Sequence, residues 1–167
     1  MRCAALGLAV VTLAAAVGLA PTGNAAVRKP APLRLSCDPY IRFEQRCHCG
    51  GAQGYFLGYG RKYCERSLAE TGWSPAGARW RDRTLLCLQR ALSAAMPKER
   101  AQHCDCQALR NYAFESHVSC YTQPPTSICH LPVTDWLLAL RVIDAADLLS
   151  PAGSRQVGSV MQVCLQQ

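Results

Sequence analysis

Cys106 to Tyr121 reads CQALRNYAFESHVSCY. Cys106 and Cys120 are 14 residues apart, nearly four turns at about 3.6 residues per turn, so a helix over Asp105 to Tyr121 points both thiols the same way. Leu109 and Ala113 lie on the same stripe. A helix with a cysteine near each end of its inner face can be bolted to neighbours at both ends. Cys87, in the segment before it, is placed to meet one of the two across a hairpin.

Outward from this helix the pattern stays helical. Upstream, Ser74-Pro75 offers an N-cap followed by proline at the first helical position, and after Gly77 nothing interrupts the run until Pro97. On that run Trp80, Thr84, Cys87, Leu88, Ala91 and Ala95 share one face, and Arg79, Arg83 and Arg90 another. The stretch from Arg61 to Glu70 suits a helix ending near Gly72. Between Cys37 and Gly60 glycines and cysteines break any periodicity, so turns with at most one short helix are expected. Downstream, TQPPTS at 122–127 is a turn. Pro132 to Asp135 opens a helix carrying Trp136, Leu137, Leu140 and Ile143. Pro151-Ala152-Gly153 reads as an interruption, after which Ser154 caps a last helix with Val157, Val160, Met161 and Cys164 inward. No strand-type alternation persists, so the expected fold is mostly α: a compact, disulfide-stapled bundle of about four to five helices.

Half of the 167 residues are hydrophobic and 17% are charged, which excludes a disordered chain and allows one well-filled domain. Arg2 and the uncharged stretch Cys3–Ala20, broken at Pro21 and Gly23, read as a secretory signal peptide over residues 1–26. Its rival is a retained membrane anchor, but the run is rich in Ala and Gly and ends without a basic stop-transfer cluster. Residues 27–36 are a proline-punctuated flexible leader, and 37–167 the folded domain. No later segment is apolar enough to span a bilayer, so no stable membrane insertion is expected. The net charge of +7 attracts anionic surfaces weakly, but basic residues never cluster in runs of five or six, so no nucleic-acid partner is expected.

Removing the signal peptide takes Cys3 and leaves Cys37, Cys47, Cys49, Cys64, Cys87, Cys104, Cys106, Cys120, Cys129 and Cys164. An even set in an exported chain reads as five disulfides. Zinc is the competing reading for Cys47-His48-Cys49 and Cys104-Asp105-Cys106, but structural zinc pairs space their cysteines more widely. The Cys-x-x-Cys redox spacing is absent. No metal and no cofactor is expected.

From Tyr59 onward the chain resembles the stanniocalcin family of secreted, all-helical, disulfide-rich hormones. The resemblance rests on YGRKYCERS at 59–67, GARWRDRTLLCLQRAL at 77–92, CQALRNYAFESHVSCY at 106–121 and MQVC at 161–164. It rests also on the separations of 14 residues for Cys106 and Cys120 and 35 for Cys129 and Cys164, which the family shares. The resemblance implies bridges Cys87–Cys120 and Cys129–Cys164, with Cys64 and Cys106 each tied back to the N-terminal cysteines. The chain departs from the family in having three cysteines before Cys64 rather than four, and an extra one at Cys104, which leaves the pairing among Cys37, Cys47, Cys49 and Cys104 open. The family's further C-terminal cysteine and its Asn-x-Ser/Thr glycosylation site have no counterpart, so a monomer is expected. The resemblance implies a hormone-like protein that recognises an extracellular partner. Hormonal control of calcium and phosphate is the least transferable part, because fold does not fix function.

Two other classes stand beside this one. Cys47-His48-Cys49-Gly50-Gly51 resembles the glycine-rich calcium loop of small disulfide-bonded phospholipases, but their chemistry needs a His-Asp pair and no His-Asp dipeptide exists here. His117 is the best placed histidine, yet Glu115 is two residues away and faces elsewhere on a helix, so His117 reads as a packed or capping side chain. His48, His103 and His130 sit next to cysteines and read as loop residues near bridges. No catalytic residue is assigned. A basic extracellular toxin or effector is the third class. The surface expected to meet a partner is formed by Arg79, Arg83 and Arg90, with a solvated basic face as the plainer reading.

Overall fold

The computed structural model describes residues 35–98, 103–123 and 125–167. The expected signal peptide and residues 27–34 of the leader lie outside them. Seven α-helices follow in order: α1 (Asp38–Cys47), α2 (Lys62–Ala69), α3 (Pro75–Ala95), α4 (Cys106–Thr122), α5 (Val133–Arg141), α6 (Ala145–Leu148) and α7 (Pro151–Cys164). A π-helical stretch, Tyr55–Arg61, runs directly into α2, and no strand occurs among the described residues. The fold is thus mostly α, and no helix among the described residues is long and apolar enough to cross a membrane.

The start signal acts as expected at α3, where the Ser74 hydroxyl accepts from the Gly77 amide; at α4 Asp105, expected as the first helical residue, is the cap, its carboxylate accepting from the Ala108 amide. The last helix departs from expectation. It is capped by Ser150, whose hydroxyl accepts from the Gly153 amide, and Pro151 occupies its first turn. Proline is tolerated there because its missing N–H would have had no partner in any case. What reads as an interruption is a helix start, and Ser154 lies inside the helix with its hydroxyl donating to the Ser150 carbonyl. The inward face shifts accordingly to Gly153, Gln156 and Val160, while Met161 is exposed.

The N-terminal region is more ordered than its glycines suggest. Tyr40, Phe43 and Cys47 recur at helical spacing in α1 and are all buried. In the π-helical stretch the backbone of Gly60 lies flat against the Tyr40 ring, so that a Cβ there would fall 2.5 Å from Cε1. Glycine here serves close packing between two elements, whereas in the sequence it reads as a turn.

α3 and α4 lie side by side at the centre of the described residues. The buried face of α3 is Trp80, Thr84, Leu85, Leu88 and Leu92. Cys87, Ala91 and Ala95, expected on that face, flank it half-buried. Thr84 donates to the Cys120 carbonyl at 3.3 Å and the Trp80 indole to the Tyr121 carbonyl at 3.0 Å, so each polar group that enters the seam finds a partner. One apolar cluster, around Tyr40, Phe43, Phe56, Leu85, Leu92 and Leu109, joins α1 to this pair. A second, around Trp80, Ile128 and Val160, joins α7 to it.

Five disulfides tie the helices: Cys37–Cys64, Cys47–Cys104, Cys49–Cys106, Cys87–Cys120 and Cys129–Cys164. α4 is held at both ends, by Cys49–Cys106 to the segment after α1 and by Cys87–Cys120 to α3. Cys47–Cys104 and Cys49–Cys106 run in parallel between the same two segments, which resolves the pairing that the sequence left open.

Candidate functional site

The outer face of α3 carries the basic stripe. Arg79, Arg83 and Arg90 are all exposed, and none forms an ion pair with another described residue. Five other cations among the described residues are held in ion pairs. Lys62 and Arg66 both hold Asp144, at 2.6 and 2.5 Å, and Arg141 holds Glu70 at 2.5 Å. Hydrogen bonds from Arg66 and then Lys62 pull the Asp144 carboxyl down to about 2. Arg61 pairs with Glu65, and Arg81 with Asp82. The α3 stripe thus gathers three cations without ion pairs along one face of one helix.

Arg83 and Arg90 also border a groove of about 690 Å³, where α3 meets the end of α4 over the Cys87–Cys120 bridge. Ser119, Gln123 and Thr126 supply hydroxyl and amide groups on the far side. Arg79 stands outside the groove. The rise of about 1.5 Å per residue separates Arg79 from Arg90 by about 16 Å along the helix, so the stripe suits an extended anionic surface better than a single small ion.

No family model, curated protein or solved structure matches the chain. The functional reading accordingly rests on what these side chains can do.

The histidines are dispersed. His117 is buried between Phe114 and Tyr121, with its Nδ1 2.5 Å from the Ala113 carbonyl oxygen, in keeping with a packed side chain. His48, His103 and His130 are exposed. No group of three or more His, Cys, Asp or Glu side chains that could hold a metal ion occurs among the described residues. At the glycine-rich stretch after α1, the Gly51 amide donates to Glu44 at 2.8 Å.

Burial lowers the His117 pKa from 6.5 to about 4, with the Ala113 carbonyl opposing the shift. Protonation therefore favours the unfolded chain: stability is full above about pH 6.5 and falls as the pH drops toward 4, by about 3 kcal/mol in all. His117→Phe keeps a ring between Phe114 and Tyr121. Denaturant midpoints measured from pH 7 to pH 4 should fall less steeply in this variant, and an unchanged slope would mean that His117 is not held neutral.

Sequence reading missed the aromatic interior against which α3 and α4 close. Tyr55 stacks on Tyr59 and Tyr59 meets Tyr63 edge to face along the π-helical stretch and α2, and Phe114 packs on Tyr55 and Tyr59. The series continues through His117, Tyr121, Trp80 and Trp73. The spacing of Tyr55, Tyr59 and Tyr63, four residues apart, was the available signal.

Proposed function

We propose that this is an exported, disulfide-stapled helical recognition protein, stanniocalcin-like in its bridge pattern, that binds an extracellular partner through the outer face of α3. The observation that carries the reading is that Arg79, Arg83 and Arg90 are exposed and without ion pairs on a helix whose opposite face is buried and which is bridged to α4 beside the stripe, through Cys87. A stapled scaffold loses little conformational entropy when it binds, so an exposed charged stripe on it is presented at low ordering cost. Five disulfides are compatible with export, because such bridges persist in oxidising compartments. The Cys87–Cys120 and Cys129–Cys164 pairs are the ones that the family resemblance implies, and they support it.

The test uses the oxidised protein carrying a fluorescent label. It should bind intact cells or extracellular matrix saturably, and Arg79→Glu, Arg83→Glu and Arg90→Glu together should weaken that binding at least tenfold with no change in thermal midpoint. Equal binding by the triple variant would remove the α3 face from the proposal. Calcium-dependent lipid hydrolysis by the purified protein, or permeabilisation of anionic vesicles at low salt, would replace it with one of the other two classes.

A further inference from the structure

Two cavities lie beneath α5. The first, of about 50 Å³, is bounded by Tyr40 of α1, Tyr55 and Tyr59 of the π-helical stretch and His117 of α4. The second, of about 40 Å³, is bounded by Ile128, Leu148 of α6, and Val157 and Val160 of α7. They adjoin at Tyr59, Tyr121, Ala139 and Ile143, which line both, so the inner face of α5 roofs the pair. Ala139 is the smallest side chain of that shared wall.

Polar atoms gather at the first cavity. The Ala113 carbonyl only accepts, so His117 Nδ1 carries the ring proton and donates to it, which leaves Nε2 as an acceptor. His117 is only 5% exposed, and its Nε2 has no hydrogen-bond partner among the described residues. Burial pulls the His117 pKa down to about 4, so the ring is neutral at pH 7. Of the tyrosines at this cavity, Tyr63 donates to Asp147 and Tyr121 is engaged by Gln156. The hydroxyls of Tyr40, Tyr55 and Tyr59 have no partner among the described residues. Hydrogen-bonding atoms this far inside a helical body are seldom left unpaired. Among the described residues no carboxylate lines either cavity, and the guanidinium at the first, Arg81, is held by Asp82 at 2.7 Å.

We infer that the chamber beneath α5 binds a neutral straight-chain alcohol of five or six carbons. Its hydroxyl donates to His117 Nε2 and accepts from the Tyr59 hydroxyl, and its alkyl chain runs past Ala139 into the second, apolar cavity. A charged ligand is excluded, because nothing at the chamber compensates its loss of water. The length follows from the volumes: at about 10–15 Å³ for each water-sized group, each cavity takes about three or four non-hydrogen atoms. The site lies inside the bundle, apart from the α3 face, and does not depend on the function proposed for that face.

The chain's tryptophans report on the site, since Trp73 and Trp80 line the first cavity and Trp136 the second. The oxidised protein is titrated at pH 7 with 1-propanol, 1-hexanol, 1-octanol and hexanoate, followed by tryptophan fluorescence and by the NMR signal of the His117 ring nitrogens. 1-Hexanol should saturate below 10 mM and shift Nε2, and affinity should rise about fourfold per methylene from propanol to hexanol. 1-Octanol should gain nothing further, because the chamber is full, and hexanoate should not saturate. His117→Phe should weaken 1-hexanol at least tenfold yet still bind xenon, which needs no hydrogen bond. Ala139→Leu should abolish the gain from propanol to hexanol while leaving 1-propanol unchanged. The alcohol series on the unaltered protein decides the matter even where a variant fails to fold. No saturable response to 1-hexanol, a gain that continues at the same factor to octanol, or hexanol binding unaltered in His117→Phe would overturn the assignment.

Discussion

Gly77→Ala should destabilise the protein by about 3 kcal/mol, although alanine is favoured over glycine inside a helix by about 1 kcal/mol. The reason is the seat of Asp135. This side chain from α5 is fully buried, and it accepts from the Ser74 amide at 2.9 Å and from the Ser74 hydroxyl at 2.6 Å. Its carboxylate thus closes the N-terminus of α3, where unsatisfied N–H groups and the helix dipole favour negative charge. A Cβ on residue 77 would lie 2.5 Å from the Asp135 Cγ, and the carboxylate has no free rotamer to retreat into while both of its hydrogen bonds hold. Asp135→Ala alone should also destabilise, by about 2 kcal/mol, because the half-buried Ser74 amide and hydroxyl lose their acceptor. In the Asp135→Ala background, however, Gly77→Ala should become neutral or stabilising. Guanidinium unfolding of the four proteins, with disulfides intact, measures the cycle. Additive single effects would mean that the two residues do not touch.

The second large effect is expected from the parallel bridges. Cys47–Cys104 and Cys49–Cys106 each span 57 residues, yet they close almost the same loop. With one in place, the other restrains only a ring of a few residues, worth about 2 kcal/mol by loop-closure entropy. With both gone, the long loop opens as well, for a total of about 6 kcal/mol. Replacing either pair by serines should therefore give a folded protein with a moderately lower midpoint. Replacing both should cost more than the two single losses combined and leave α1 unfastened from α4. Denaturant midpoints of the three variants and the parent decide the matter. A double variant no less stable than the sum of the singles would show that the bridges act independently.

The two predictions separate what was legible from what was not. Ser74-Pro75 marks a helix start through short-range chemistry, a side-chain oxygen meeting an amide three residues on, and was readable; Asp105 caps α4 by the same chemistry, and from the sequence it was read only as the helix's first residue. Asp135 was readable only as a residue near the start of a helix. Its partners Ser74 and Gly77 are about sixty residues away, and nothing local announces that one helix will insert a carboxylate into the end of another. Gly60 misled in the same way, because a glycine needed against a distant ring looks identical to a glycine needed for a turn. At Pro151 two local rules competed, proline as breaker and proline as first helical residue, and the hydroxyl of Ser150 tipped the balance toward the second.

The candidate surfaces divide likewise. The α3 arginines were visible because exposure and helical spacing are local properties. The groove beside Cys87–Cys120 was not, since Arg83 and Arg90 come to border it only when α3 and the end of α4 are laid together.

By itself the amino-acid order determined the helical class, the α3 helix start and the even set of ten cysteines from Cys37 onward, because periodicity, capping and residue count act within a few turns of chain. Tertiary structure alone decided how Cys37, Cys47, Cys49 and Cys104 pair, where α5 docks, and which polar side chains are left without partners. Those outcomes depend on contacts between segments far apart in the chain, whose energies no local pattern encodes.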